Sequence, residues 1–395
     1  MKTKVAIIIE RADVALGGAE RSVNELAEAI GAIGYDTHIL AAKGAVTAQN
    51  VHILCADAGG KRTSYRVFAR ALKKHTEQTH YDILHSVLPF DFADIYQPRS
   101  GTFAESIIRK AATYRCPVLQ ALKRKTAFLN FRRTAWFGAE RRLAEAQTGP
   151  LVVAISNYVA KQFRAHYHIP ENRMVVIPNG VKLAGQIEKS RVDSLRAKLL
   201  AQLGSRNTDN AVLFLFVGHD FKRKGLDCLM EAIGRLQKTD NNTPTRLVVA
   251  GRASSTTYRR LAAKLGVEEK IIFLGDVGNV QELIAATDVA VLPTFDDPCS
   301  RFILEALAAG KPVIATKFNG AIDLFADNRH GRTIDDPRDV AALSEAIEYF
   351  TNRDNLNRAA NAIISDNLRR NVSVDRVAQQ LKAVYDEILK KKGHL

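Results

Sequence analysis

The sequence predicts an α/β fold: two Rossmann-like, doubly wound parallel-sheet domains facing each other across a cleft. Three observations carry that expectation. Short continuous apolar runs of strand length recur along the chain, as in strands buried on both faces. Between them apolar residues return at i, i+3, i+4 and i+7, the spacing of one helix face. The alternation pauses in a polar stretch after Gly180 and then restarts, which marks a boundary between two domains of ordinary size.

In chain order, Val5–Ile9 is the first strand, and Val23, Leu26, Ala27 and Ile30 give the first helix its face. Strands follow at Thr37–Ala41, Asp82–His85, Leu151–Ile155 and Met174–Ile177, the last running into the breaker cluster Pro178-Asn179-Gly180. In the second half Val212–Val217 is a strand, and Gly225–Leu236 a helix with Leu226, Leu229, Met230 and Ile233 on one side. Leu247–Ala250, Ile271–Leu274, Val289–Leu292 and Pro312–Ala315 are further strands. The domains are placed at residues 1–180 and 181–374, with a C-terminal helix, 375–395, packing back on the first. Ligands bind such sheets beyond the C-terminal ends of the strands, so the site is expected in the cleft.

Composition narrows the function. The 395 residues include 57 Lys+Arg and 42 Asp+Glu, a net charge of +15 that calls for an anionic partner: nucleic acid, a membrane surface or a phosphorylated substrate. A hydrophobic content of 46% excludes intrinsic disorder. The longest early apolar run, Val5–Ile9, is too short for a signal peptide or a membrane span, so a cytoplasmic protein is expected. Cys55, Cys116, Cys228 and Cys299 are scattered, which argues against a disulfide scaffold and a cysteine zinc site.

Three loops suit chemistry. Leu16–Arg21, with Gly17-Gly18, sits between the first strand and its helix, where bare backbone can approach an anion. A plain tight turn is the other reading; the dinucleotide fingerprint is absent. The run Gly218-His219-Asp220-Phe221-Lys222-Arg223-Lys224-Gly225 puts three cations where a helix begins. They oppose the helix dipole at about 0.3–1 kcal/mol each. A bound phosphate would offset that; a solvated basic turn is the alternative. In Phe295–Gly310, a helix is expected to start near Pro298 and stop before Gly310. Asp297 before Pro298 reads first as an N-cap. Glu305, flanked by apolar residues, reads as a ligand-facing or paired carboxylate.

Taken together, these pieces resemble the retaining glycosyltransferases of family 4, which have the GT-B fold. The resemblance runs through Gly17-Gly18-Ala19-Glu20-Arg21, Ala154–Asn157, Val176–Val181, Val217-Gly218 with Lys224-Gly225, Val249–Gly251, Phe273–Gly275 and Asp297 to Glu305. The Phe221–Gly225 loop looks most like that of the lipopolysaccharide core glucosyltransferase I branch. The resemblance implies a nucleotide-sugar donor, a UDP-sugar, held by the C-terminal domain, and an acceptor on the N-terminal one. Arg223 and Lys224 would bind the diphosphate, with His219 beside them. Backbone near Val277 would read the base, and Glu305 would hold the ribose. Cys299–Phe302, including Ser300, Arg301 and Phe302, would meet sugar and phosphate. Asp297 would bind donor-sugar hydroxyls, and Gly17 and Gly18 would approach the phosphates. The implied reaction is hexose transfer to a glycolipid or saccharide acceptor, lipopolysaccharide core or another cell-envelope glycan, with no cofactor and no metal.

Several positions depart from the family pattern. Asp297 stands where the family has Glu, and His219 where many members have Arg. Arg99 stands near the expected His-Gly pair and cannot be a base at neutral pH. His85, Asp91 and Asp94 are the other catalytic candidates of that domain. These departures motivate an alternative: a non-catalytic, membrane-associated nucleotide-sugar-binding protein.

Ser106–Arg142 contains ten Lys/Arg, including Lys123, Arg124, Lys125, Arg132 and Arg133, against one acid, Glu140. Aliphatic and aromatic residues, Trp136 among them, lie between. That pattern suits a helix lying on anionic lipid, and it predicts a peripheral protein on the inner face of the cytoplasmic membrane. A solvated helix with a buried apolar face is the other reading. Nucleic acid is not expected, because no recognition motif accompanies the charge.

Overall fold

A computed structural model describes residues 2–13, 17–56, 59, 62–203, 211–239 and 245–393. Leu16 of the first loop and the last two residues of the expected C-terminal helix lie outside them. The chain divides into two compact units: Met1–Lys182 with Ser373–Leu395, and Leu183–Val372.

The first unit is built on seven strands, β1 (Lys4–Arg11), β2 (Asp36–Lys43), β3 (Val51–Ile53), β4 (Ile83–Ser86), β5 (Ile95–Tyr96), β6 (Leu151–Ala154) and β7 (Met174–Val176). They form one parallel sheet in the order β3-β2-β1-β4-β5-β6-β7. The chain steps outward from β1 to β3 and returns on the other side at β4, so the switch point lies between β1 and β4. Val5 to Ile8 are fully buried, as a central strand covered on both faces requires.

Helix Val374–Lys391 belongs to this unit. Val377, Ala378, Leu381, Val384, Tyr385 and Leu389 share one core with Val5, Ile7, Leu26 and Ile30. Each large apolar side chain so buried contributes about 1.5–3 kcal/mol. The helix enters at a tight crossing, where Val374 N–H donates to Val181 O at 2.9 Å. A side chain at Gly180 would lie 2.5 Å from Ser373 O, so this position needs glycine. The opposite face of the sheet carries a second core around Phe68, Leu72, Phe90 and Trp136.

The second unit contains β8 (Val212–Val217), β9 (Thr245–Ala250), β10 (Ile271–Gly275), β11 (Val289–Leu292), β12 (Val313–Thr316) and β13 (Gly331–Ile334). Its parallel order is β10-β9-β8-β11-β12-β13, with the switch point between β8 and β11. The loops after these two strands carry the second and third motifs.

Candidate active site

In the second unit the β8 loop turns back on itself before helix Leu226–Thr239. Lys224 N–H donates to Asp220 O at 2.9 Å, and Phe221 is buried beneath the turn. Gly225 has φ +74°, and a Cβ there would strike Pro293 O at 2.0 Å. That close approach locks the β8 loop to the β11 loop. Phe295 N–H and Thr294 Oγ1 both donate to Arg223 O, at 2.9 and 3.1 Å.

The third motif corrects one expectation. The helix begins at Arg301, not near Pro298, and its N-cap is Ser300. Asp297 therefore does not cap it. Its backbone bridges Asn319, and its Oδ2 accepts from Lys224 Nζ at 2.5 Å. Four residues along the helix Arg301 pairs with Glu305 at 3.2 Å, and both side chains are almost wholly enclosed. Ser300 is buried, and so is the Phe302 ring, which leaves main-chain rather than ring contacts for a ligand there. The first-turn amides of Phe302 and Ile303 have no carbonyl one turn earlier to bond, and the helix dipole adds partial positive charge. Sequence reasoning missed Asn319. It is fully buried, its Oδ1 accepts from Ser300 N–H and Ala321 N–H, and its Nδ2 has no partner among the described residues. His219 is exposed at the loop tip. Arg223 lies 3.6 Å from Asp220. Val277 follows β10, two strands from β8 at the same end of the sheet.

In the first unit Gly17 caps helix Gly18–Ala32 at the end of the β1 loop. The structure joins this helix to Arg99, beyond the C-terminal end of β5. Arg99 Nη1 donates to Ser22 Oγ and Asn179 Oδ1, both at 2.6 Å, and Nη2 to Gln97 Oε1 at 2.9 Å. In the sequence Asn179 reads as part of a turn and of the Val176–Val181 stretch, and Ser22 carries no signal.

Three residues expected to function do other work. His85 is fully buried, and its Nδ1 lies 2.7 Å from Tyr385 Oη on the C-terminal helix. Burial, with the Arg99 charge adding to it, pushes its pKa down to about 3, so it is a neutral core residue. Asp94 immediately precedes β5, at the end of the strand opposite Arg99. It accepts from Leu84 N–H at 2.8 Å and Lys392 Nζ at 2.7 Å, which ties down the chain's last turn. Trp136, expected at a lipid surface, is 2% exposed and packs edge-on against Tyr65 and Phe90. Asp91 is exposed.

In the sequence Glu140 is only the lone acid of the basic segment. It is fully buried and accepts from Tyr96 Oη at 2.7 Å, Tyr167 Oη at 2.6 Å and Phe103 N–H at 2.7 Å. Burial nonetheless pushes its pKa up to about 7.

The basic segment forms helix Pro117–Thr126, none of whose residues is buried, and helix Phe131–Glu145, whose Trp136, Leu143 and Ala144 are. Lys123, Arg124 and Lys125 stand exposed on the first. Arg132 pairs with Glu10. Among the described residues no helix is long and apolar enough to cross a membrane.

Two parallel-sheet units, with cations and carboxylates beyond the strand ends of the second, define the architecture of a GT-B glycosyltransferase. Residues 16–184 match the family described as Glycosyltransferase Family 4, and residues 199–365 match Glycosyl transferases group 1. The chain belongs to these glycosyltransferases. It is 31% identical over 212 residues to the lipopolysaccharide glucosyltransferase WaaG of Escherichia coli (strain K12), covering 53% of this chain and 54% of that one. It is 32% identical over 229 residues to a D-inositol 3-phosphate glycosyltransferase of Geodermatophilus obscurus, covering 54% and 48%. The chain thus spans about half the length of the curated relatives it matches. The fold matches the crystal structure of WaaG, a glycosyltransferase involved in lipopolysaccharide biosynthesis, with a TM-score of 0.73, 22% identity and coverage of 97% and 99%. It also matches Anabaena Alr3699/HepE in complex with UDP and glucose, with a TM-score of 0.71, 17% identity and coverage of 98% and 100%.

Proposed function

We infer that the protein is a retaining glycosyltransferase that moves a hexose from a UDP-sugar to a glycolipid or saccharide acceptor of the cell envelope, such as lipopolysaccharide core. The observation that carries this reading is the Lys224–Asp297 pair beside the start of helix Arg301–Ala308. It brings the cation that would bind the diphosphate and the carboxylate that would accept from sugar hydroxyls into direct contact. The named activity of WaaG and the UDP and glucose bound to HepE support the choice of donor.

In this reaction the bond from the anomeric carbon to the diphosphate oxygen breaks, and the acceptor oxygen bonds to that carbon on the same face. The acceptor proton passes to the departing phosphate oxygen. Negative charge grows on the diphosphate, where Arg223, Lys224 and the helix amides oppose it. No metal or cofactor is required, so chelation by EDTA leaves turnover unchanged. Asp297 accepts from the sugar hydroxyls, and Glu305, held by Arg301, accepts from the ribose. Gly17, Gly18 and Arg99 form the corresponding anion-facing set of the first unit.

The unburied helix Pro117–Thr126 with Lys123, Arg124 and Lys125 supports docking on an anionic membrane surface, at the inner face of the cytoplasmic membrane. The test is UDP release from a panel of UDP-sugars with and without a lipid extract. Turnover of one sugar that Glu305→Ala abolishes is the expected result; silence across the panel overturns it. One observation favours a non-catalytic nucleotide-sugar binder instead. Arg99 is tied to Ser22, Asn179 and Gln97 where the family pattern puts a histidine near the reaction centre. That reading predicts UDP binding without turnover.

A further inference from the structure

Helices Phe103–Ala112 and Pro117–Thr126 and the start of helix Phe131–Glu145 line an open cavity of about 330 Å³. That is at the lower end of the range for small-molecule sites, about 300–1,000 Å³. Lys110, Lys123 and Arg133 line it, with Tyr114, Thr126 and Asn130 between them and no carboxylate among the described residues. Lys123 Nζ lies 5.5 Å from the centre of the Tyr114 ring. Three cations facing one cavity repel each other unless an anion enters.

The rim is apolar and exposed. Leu119 and Leu122 lie one turn before Lys123 and Thr126 on the same helix, and Phe128, Leu129 and Phe131 flank Asn130; Phe131 is 88% exposed. A water-soluble sugar phosphate has no use for such a rim. A lipid does, because its phosphate and its acyl chains are joined in one molecule.

We propose that this cavity is a headgroup site for an anionic phospholipid bearing a terminal phosphate. The phosphate sits among Lys110, Lys123 and Arg133. Asn130, whose Oδ1 caps helix Phe131–Glu145, keeps its amide NH2 to donate to an ester oxygen, and the acyl chains leave over Leu119, Leu122 and Phe128. A phosphomonoester carries more negative charge at neutral pH than a phosphodiester, about −1.5 to −2, and so matches three cations better. The site rests on the membrane reading above and adds to it a choice among lipids of equal surface charge.

The experiment compares full-length protein on phosphatidylcholine vesicles containing phosphatidic acid or phosphatidylglycerol, adjusted to the same surface potential, at physiological salt. The expected result is binding at roughly tenfold less phosphatidic acid than phosphatidylglycerol. Lys110→Gln with Arg133→Gln removes that preference: phosphatidylglycerol binding falls roughly 30-fold, as the loss of two cations at the surface requires, and phosphatidic acid binding about tenfold further. Fluorescence of Trp136, the single tryptophan, confirms that the variant is folded. Equal binding of the two lipids, or a preference that survives the double substitution, overturns the headgroup site and leaves the membrane reading standing. Failure to bind either vesicle overturns both.

Discussion

Lys224 Nζ and Asp297 Oδ2 stand 2.5 Å apart, with both side chains nearly enclosed, at 13% and 14% exposure. Each charge is the other's counter-ion until a ligand arrives. A diphosphate that draws the lysine away leaves the carboxylate to accept from sugar hydroxyls. Lys224→Met is therefore expected to weaken UDP binding by about 10–100-fold, the loss of one strong charge-assisted contact. Asp297→Asn keeps the shape and removes the charge. Its expected effect is a fall in kcat of about 100-fold with UDP affinity nearly unchanged. Calorimetric titration with UDP, set beside steady-state turnover, separates the two. Equal losses in both parameters for Asp297→Asn would show that it serves binding alone.

Glu305 accepts from Arg301 at 3.2 Å within one helix turn. Glu305→Gln keeps the acceptor oxygen but loses the charge that holds the guanidinium and the ribose hydroxyls. UDP affinity is expected to drop about tenfold. Removal of the 2′-hydroxyl from the nucleotide should cost wild type that factor and the variant much less. Independent, additive losses in this double cycle would place the ribose elsewhere.

How much of this was legible in the sequence depended on length and on range. Strands of four to eight residues with continuous apolar runs, such as β1 and β8, announce themselves. β3 and β5, of three and two residues, do not, because so short a segment has no periodicity. β13 hides because only Gly331 and Ile334 of its four residues are buried. At the site, Lys224, Asp297 and Glu305 were legible as residue types in an ordered pattern. The N-cap reading of Asp297 failed because local Asp-Pro chemistry lost to a partner 73 positions away. Asn319, Asn179 and Ser22 act through contacts between distant segments, and no local pattern encodes those. His85 and Asp94 misled for the same reason, since their partners Tyr385 and Lys392 lie about 300 residues on.

Replacing Lys123, Arg124 and Lys125 with Glu reverses three exposed charges on a helix that buries nothing. At about 1 kcal/mol per cation near an anionic surface, the expected loss of vesicle binding is at least 100-fold. The fold should be unaffected, because no core residue changes. Co-sedimentation with anionic vesicles measures it, and unchanged sedimentation would remove this helix from any docking role.

The pH dependence of the first unit sets two buried groups against each other. His85, with its pKa depressed to about 3, stays neutral in the fold while an unfolded chain protonates it near its ordinary value of 6.5. Its contribution is present above pH 6.5 and is lost as pH falls toward 3. Glu140, raised from 4.5 to about 7, runs the other way. Its neutral form is favoured in the fold, so its contribution is full below pH 4.5 and is lost as pH rises to about 7, by about 3 kcal/mol in all. Glu140→Gln removes that slope. The variant, which loses acceptors for Tyr96 and Tyr167, is expected to be less stable than wild type at pH 5, and the gap should narrow by about 2.5 kcal/mol by pH 8. Trp136 lies one helix turn from Glu140 and is the single tryptophan, so its fluorescence in urea reports this unit directly. A gap that stays constant from pH 5 to 8 would mean that Glu140 is ionised throughout, held so by the two phenols and the Phe103 amide.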